Sequence, residues 1–207
     1  MNNAILTPGS VFLIFLLVYS ALFPYDRVTW LMEVVPVIIT LPLLWFTYRR
    51  FPLTWLLYAV IVIHSVVLIV GGMYTYARVP FGFEIAQWFG LERNPYDKIG
   101  HFMQGFSPAL IAREILMRGK YVNGRRMLAF LVISIVLGIS AFYELIEWWA
   151  ALWMGQDAES FLGTQGDIWD TQSDMFFALI GSIVALGLFS KYHDTLIAKM
   201  EIHENSR

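Results

Sequence analysis

The 207-residue chain contains no cysteine, which excludes a disulfide framework, a thiolate metal site, a CxxC redox pair and a cysteine nucleophile. Charge is also scarce, because Asp, Glu, Lys and Arg make up 14% of the chain, against roughly 25% in soluble domains. The net charge of −2 excludes a generally basic nucleic-acid-binding protein. P-loop, GxGxxG, GxSxG and HExxH patterns are missing, so no nucleotide cofactor, α/β-hydrolase site or zincin site is expected.

Apolar residues are abundant instead, at 58% of the chain, and the mean hydropathy is +0.61. Uncharged runs of about 20 residues are long enough to cross a hydrocarbon core of roughly 30 Å. They predict an all-α membrane protein with six transmembrane helices in one compact bundle, forming a single domain over residues 1–207. The predicted spans cover residues 4–23, 28–48, 52–77, 97–117, 127–153 and 170–190.

Two segments allow a choice of interpretation. The first 25 residues carry no charge and lack the basic start of a cleaved signal peptide, so a retained span is favoured. The segment between spans 3 and 4 is too polar to cross a membrane. Its apolar residues predict a short helix lying in the membrane interface: Phe81, Phe83, Ile85, Trp88, Phe89 and Leu91.

Basic residues predict the orientation of the bundle. Ten of the fourteen Lys and Arg residues fall in the connection at 49–52, the connection at 113–126 and the C-terminal tail. Six spans place these three segments on one side, which is therefore expected to be cytoplasmic, with both termini. Twelve of the sixteen acidic residues lie on the opposite side or at that end of the spans. The expected location is the bacterial inner membrane, with membrane lipids as partners.

Several ionisable residues fall at similar depth near the acid-rich end of the spans. Such groups are costly in a bilayer and usually face a bundle interior or a wet cavity. Asp97, His101 and Gln104 share one helix face. Glu144 and Glu147 follow i, i+3 spacing, with Ser140 one turn deeper. Asp167, Asp170 and Asp174 follow i, i+3 and i+7 spacing if the last helix begins early. The predicted metal ligands are Asp97, Glu147, Asp170 and Asp174, and the predicted catalytic residues are His101, Glu144 and Lys98. Carboxylates and an imidazole of this kind bind divalent cations in helix bundles.

Each of these residues also has a structural interpretation. Asp97 and Asp170 could be helix N-caps. Glu144 and Glu147 could form salt bridges with Lys98 or Arg93. The side chain of Glu33, on the second span, could extend to water. His101 fits a packed, hydrogen-bonded histidine, and His64 at mid-span fits either an interhelical hydrogen-bond donor or a proton relay. Pro36, Pro42 and Pro108 indicate kinks that shape a cavity. Gly71, Gly72, Gly100, Gly105, Gly138 and Gly181 allow close helix packing.

Three motifs carry a family resemblance over nearly the whole chain: YDKIGHF at 96–102, YELIEW at 143–148 and GDIWDTQSDM at 166–175. They resemble the YjdF-type bacterial inner-membrane proteins, which implies a localisation and no mechanism. The D-K-x-x-H-F sequence with a later Glu is more distantly similar to the VanZ-like membrane proteins. There a Glu-x-x-Gln is expected, whereas this chain has Glu144 and Glu147.

The leading functional hypothesis is an integral membrane hydrolase or transferase acting on a lipid or lipid-linked substrate at the periplasmic leaflet. His101 or Glu144 would be its general acid or base, Lys98 would contact an anionic group, and a divalent cation would polarise a phosphoryl or acyl oxygen. The alternatives are a small-solute or proton-coupled transporter or binding protein, and a structural accessory subunit. Oligomeric state does not follow from the sequence.

Overall fold

The computed structural model describes residues 3–155 and 164–205, and all its regular structure in these residues is α-helical. The helices are α1 (Asn3–Leu22), α2 (Arg27–Thr47), α3 (Trp55–Tyr74), α4 (Pro80–Phe89), α5 (Tyr96–Arg118), α6 (Arg125–Met154) and α7 (Asp170–Asn205). Their ends follow local chemistry. Asp26 caps α2 by accepting a hydrogen bond from the Thr29 amide at 2.7 Å. Gly90 ends α4 in the left-handed conformation, with φ of 64°.

Five of the described helices are long and apolar enough to cross a membrane: α1, α2, α3, α6 and α7. The fourth predicted span corresponds to α5, which carries ionisable residues at both of its ends. Its 23 residues give a length of about 34 Å, which is sufficient to span. The count of six spans therefore stays a prediction for α5, as does the orientation of the termini.

The largest difference from the predicted bounds is at the end of the last helix, and one predicted helix is confirmed. The last helix continues to Asn205 rather than ending near residue 190. It continues because His193, Leu196 and Ile197 form a buried stripe at i, i+3 and i+4. The third helix ends at Tyr74 because Thr75 adopts the left-handed conformation. The short amphipathic helix expected after span 3 is α4, which exposes Phe81, Phe83, Trp88 and Phe89.

Helix α5 is the central element of the bundle, since it packs against α3, α6 and, most extensively, α7. Two glycines allow the close approach of α5 and α7. A Cβ atom on Gly105 would meet the backbone of Ala178, and one on Gly181 would meet the backbone of Phe102. Glycine packing was predicted for Gly138 as well, but that position faces open space. The close approach places the first turns of α5 and α7 side by side.

The connections before α5 and α7 are also joined. Arg93 Nη2 lies 2.6 Å from Asp167 Oδ2, and Arg93 Nη1 donates to the Thr164 carbonyl at 2.9 Å. The Gln165 side chain accepts from the Asn94 amide and donates to the Asn94 carbonyl, at 3.1 and 2.9 Å. The hydrogen bonds from Arg93 hold the pKa of the Asp167 carboxyl below its usual value of 3.8. These bonds fix the relative register of α5 and α7 at the end that carries the candidate site.

Candidate functional site

Lys98 is the centre of a group of carboxylates contributed by α5 and α7. Its ammonium donates to Asp174 Oδ1 at 2.7 Å and to Asp170 Oδ1 at 2.8 Å, and it lies 3.5 Å from Asp97 Oδ2. These four residues, with His101 and Glu144, are called the acidic cluster below. Because Asp170 and Asp174 are one turn apart on α7, both face the same point on α5. Lys98 is therefore paired with carboxylates of its own chain.

His101 lies one turn further along α5 and contacts three helices. Its Nδ1 is 3.1 Å from Gln104 Oε1 and 3.9 Å from Glu144 Oε1 on α6. Its Nε2 is 3.5 Å from Asp97 Oδ1 and 3.7 Å from Asp174 Oδ1. His101 is buried, so the ring is shielded from bulk water. This imidazole links the carboxylates of α5 and α7 to those of α6.

Glu144 differs from the other acids of the cluster. Its residue is 8% exposed, and its Oε1 atom has no hydrogen-bond partner among the described residues. A buried carboxylate oxygen without a donor is costly, because it loses its hydration without compensation. Ser140 Oγ, one turn deeper on α6, is also buried and has no partner in the part of the chain that the structure describes. This side of the cluster thus has unsatisfied hydrogen-bonding capacity.

A cavity of about 300 Å³ extends from the acidic cluster into the bundle. Asp97, His101, Glu33, Glu147 and Tyr143 line its charged end, and the Tyr143 hydroxyl donates to Glu33 Oε2 at 3.2 Å. Apolar side chains from four helices line most of the rest: Val37, Ile61, Leu68, Ile111 and Ile139. Pro36 and Pro108 lie on the wall of this cavity, in line with the expectation that proline kinks shape a cavity. The cavity therefore has one acidic end and one largely apolar end.

A second space, called the groove, opens on the other side of Asp97. It is lined by the loop before α5 and the first turns of α7, including Arg93, Lys98 and Asp170. Asp97 borders both the groove and the cavity. Five of the seven predicted site residues line these two spaces, and Asp97 is their common wall: Asp97, Lys98, His101, Glu147 and Asp170.

The structure decides several of the alternative interpretations. Asp97 is not the N-cap of α5, since Pro95 occupies that position and Asp97 lies inside the first turn. Within residues 3–155 and 164–205, neither Glu144 nor Glu147 forms an ion pair with Lys98 or Arg93, whose partners are aspartates. Glu33 does not reach water, since it is 4% exposed. Asp167 belongs to the loop contact with Arg93 and not to the acidic cluster.

A second buried polar group, which was not predicted from the sequence, lies at the opposite end of α5 and is called the basic-end network. Glu114, which is 0% exposed, accepts from the Thr54 amide at 3.0 Å, the Thr54 hydroxyl at 2.7 Å and His193 Nε2 at 2.8 Å. Arg118 pairs with Glu114 at 3.0 Å, and Arg113 bonds to His193 Nδ1 and Asp194. Because Arg113 can only donate, His193 Nδ1 accepts and Nε2 carries the proton. The missed signal was the continuation of the last helix past residue 190.

One group of described residues could hold a metal ion. Ligand atoms of Asp97, His101 and Asp174 all lie within 4.8 Å of one another. Two carboxylates and one imidazole suit a divalent ion such as Mn²⁺ or Zn²⁺. Of the four predicted ligands, Asp97 and Asp174 belong to this group, whereas Asp170 bonds to Lys98 and Glu147 lines the cavity. His101, predicted as a catalytic residue, belongs to the group as well.

Comparison with known proteins agrees with the location predicted for the chain. The chain is 59% identical over 193 residues to the inner membrane protein YjdF of Escherichia coli strain K12, covering 93% of this chain and 92% of that protein. No solved structure matches it. With five apolar helices long enough to span a bilayer, the chain is a multi-pass protein of the inner membrane. The family described as "Predicted membrane protein (DUF2238)" matches residues 6–195, and the chain belongs to that family.

Proposed function

We propose that this protein is an integral membrane hydrolase or group transferase that acts on an amphiphilic substrate. The observation that carries the proposal is the joining of the acidic cluster to a cavity whose remaining wall is largely apolar. Binding sites for organic ligands are mostly apolar, with a few convergent polar groups that fix orientation. A lipid or lipid-linked molecule would place its apolar part in the cavity and its polar group against the cluster.

The charges at the site support binding of a cation. Six carboxylates border the cluster and the charged end of the cavity: Glu33, Asp97, Glu144, Glu147, Asp170 and Asp174. Lys98 and His101 are the basic residues in contact with them. Buried negative charge requires compensation, which a divalent ion at Asp97, His101 and Asp174 would supply. The unpartnered Oε1 of Glu144 is a second sign of a missing ligand.

A divalent ion held by Asp97, His101 and Asp174 would polarise a phosphoryl or acyl oxygen of the substrate. Glu144 would be the general base that removes a proton from the attacking water or hydroxyl, since its Oε1 atom has no hydrogen-bond donor among the described residues. The new bond would form at phosphorus or the acyl carbon, and the ester bond to the leaving oxygen would break as that oxygen takes up the proton that Glu144 removed. A metal ion would displace the Lys98 ammonium from Asp174, and the ammonium would then be available for an anionic group of the substrate.

The proposal includes the six-span topology, with both termini in the cytoplasm. Ten of fourteen basic residues lie in the connections and tail that six spans place together. This topology puts the acidic cluster at the periplasmic ends of α5, α6 and α7. The site would then meet substrates in the periplasmic leaflet.

Two measurements on the purified, detergent-solubilised protein test the proposal. Bound metal is determined by elemental mass spectrometry after incubation with Mn²⁺ or Zn²⁺ and removal of excess ion. Turnover is followed by mass spectrometry of an inner-membrane lipid extract incubated with the protein and the metal. We expect one ion per chain and a time-dependent loss of one lipid class.

Variants define the site in both measurements. Asp97→Asn and Asp174→Asn should lose bound metal and turnover, and Glu144→Gln should retain metal but lose turnover. Glu84→Gln is the matched control, because Glu84 is exposed on α4 away from the cluster. A metal-free wild-type protein, or equal metal binding by the Asp174→Asn variant, would contradict the proposal. Metal binding without any turnover would leave a cation-binding protein in its place.

A further inference from the structure

The apolar end of the cavity contains polar groups that the proposed chemistry does not use. His64 lies at the middle of α3, and its Nε2 atom is buried without a hydrogen-bond partner among the described residues. Thr40, Ser65 and Ser107 line the same cavity from three different helices. Pro108 has no N–H to donate to the Gln104 carbonyl, and Gln104 also lines the cavity. Donors and acceptors therefore converge at mid-bundle depth.

These groups lie well below the acidic cluster. Thr40 is seven residues after Glu33 on α2, and Ser107 is six residues after His101 on α5. At a rise of about 1.5 Å per residue, these two helices place Thr40 and Ser107 about 10 Å from the charged end of the cavity. No bulk water reaches hydrocarbon depth, so a buried polar atom there is expected to have a partner. Within the described residues, His64 Nε2 has none.

We infer that the deep end of the cavity is a second recognition position, where His64 hydrogen-bonds an uncharged hydroxyl or carbonyl group on the apolar part of the ligand. The inference rests on the proposed function, because it names the substrate class that would enter the same cavity. Such a ligand has two polar points: a head at the acidic cluster and a neutral group about 10 Å further along. A neutral group fits because the only ionisable side chain among the deep groups is the imidazole of His64.

The hydroxyls of Thr40, Ser65 and Ser107 support discrimination at this position. A site with polar groups to satisfy rejects an analogue that lacks the matching hydroxyl, because the site's own groups are then left unpaired. A purely apolar chain in the cavity would leave His64 Nε2 without a partner. A chain carrying a hydroxyl at the right depth would satisfy it.

A matched pair of probes tests the inference. The first is 1-stearoylglycerol, and the second is the same molecule with a hydroxyl midway along its chain. Each is titrated into the purified full-length protein in detergent, and tryptophan fluorescence reports binding. The hydroxylated probe should bind about tenfold more tightly to the wild-type protein, as expected for one buried hydrogen bond.

Substitutions at position 64 locate the effect. His64→Leu should remove the preference by weakening the hydroxylated probe alone, whereas His64→Gln, which keeps a donor and an acceptor, should retain part of it. Ile63→Leu is the control, because Ile63 is exposed on the outside of the same helix. Equal affinity of the two probes for the wild-type protein, failure of both to bind, or a preference that survives His64→Leu would each overturn the inference.

The two proposals fail separately. If the wild-type protein binds no metal but still prefers the hydroxylated probe, the proposed enzyme would be overturned and the deep recognition position would remain. If the protein binds metal and turns over lipid but does not prefer the hydroxylated probe, the deep recognition position would be overturned and the proposed enzyme would remain.

Discussion

Replacing Lys98 with methionine tests whether the acidic cluster needs a cation. The substitution removes two charge-assisted hydrogen bonds, to Asp170 at 2.8 Å and to Asp174 at 2.7 Å. The Lys98 side chain is 16% exposed and the two carboxylates 10% and 2%, so solvent screens these bonds weakly. Removing one partner of a buried ion pair costs about 3–5 kcal/mol. For a chain of this size that corresponds to a fall in melting temperature of about 10 °C.

The same substitution should strengthen metal binding. In the wild-type protein a divalent ion at Asp97, His101 and Asp174 has to displace the Lys98 ammonium from Asp174 Oδ1. Without Lys98 this competition disappears, and the affinity for Mn²⁺ should rise about tenfold or more, since each 1.4 kcal/mol is a factor of ten. Mn²⁺ at 100 times its dissociation constant would then return about 2.7 kcal/mol of stability.

The assay is thermal unfolding of the purified protein in detergent, followed by tryptophan fluorescence with EDTA or with Mn²⁺. The Lys98→Met variant should melt well below the wild-type protein in EDTA and regain most of the difference in Mn²⁺. Lys199→Met is the control, because Lys199 is exposed on α7. An unchanged melting temperature in EDTA would refute the buried ion pairs, and equal Mn²⁺ shifts in both proteins would refute the competition.

Three further substitutions test the fold that positions the site. Glu114→Ala should cost about 3–5 kcal/mol by chemical unfolding, since it leaves the donors of the basic-end network unpaired; an effect as small as that of the exposed Glu201→Gln would contradict this. Gly105→Ala should destabilise the protein by about 1–3 kcal/mol, because the added Cβ would meet the backbone of α7. Gly187→Ala is the control, since Gly187 faces open space, and it should be neutral or stabilising. Equal effects of the two substitutions would show that the helices can separate freely. Asp167→Asn should lower the melting temperature, and the size of this decrease should be constant between about pH 8 and pH 5. The difference from the wild-type protein should vanish as the pH falls through the lowered pKa of Asp167, because protonation then removes the ion pair with Arg93 from the wild-type protein as well. A difference that persists at the acid end would exclude this ion pair as its cause.

The helices followed from the sequence because charge is sparse and clustered. Uncharged runs of about 20 residues leave few alternatives, so most predicted boundaries lie within three residues of the observed ends. The last helix was underestimated, since its final turns carry charged residues on one side and the buried His193 stripe on the other. That error also hid the partner of Glu114.

The depth of the candidate residues was predictable, but their pairing was not. Counting residues from the span ends places Asp97, His101, Glu144 and Asp174 at one level, and the structure puts them in contact with one another through His101. Which acid Lys98 contacts depends on the rotation of α7 about its axis, which is set by the glycine contacts between the helices. The orphaned nitrogen of His64 depends likewise on how four helices enclose a space.

Pulsed electron paramagnetic resonance of Mn²⁺ bound to the purified protein shows directly whether His101 is a ligand of a bound cation. We expect one bound ion with hyperfine coupling to the nitrogen of a single imidazole, and loss of that coupling in His101→Gln with the Glu84→Gln control unchanged. Absence of bound Mn²⁺, or bound Mn²⁺ whose spectrum is the same in the His101→Gln variant, would contradict a cation site at Asp97, His101 and Asp174.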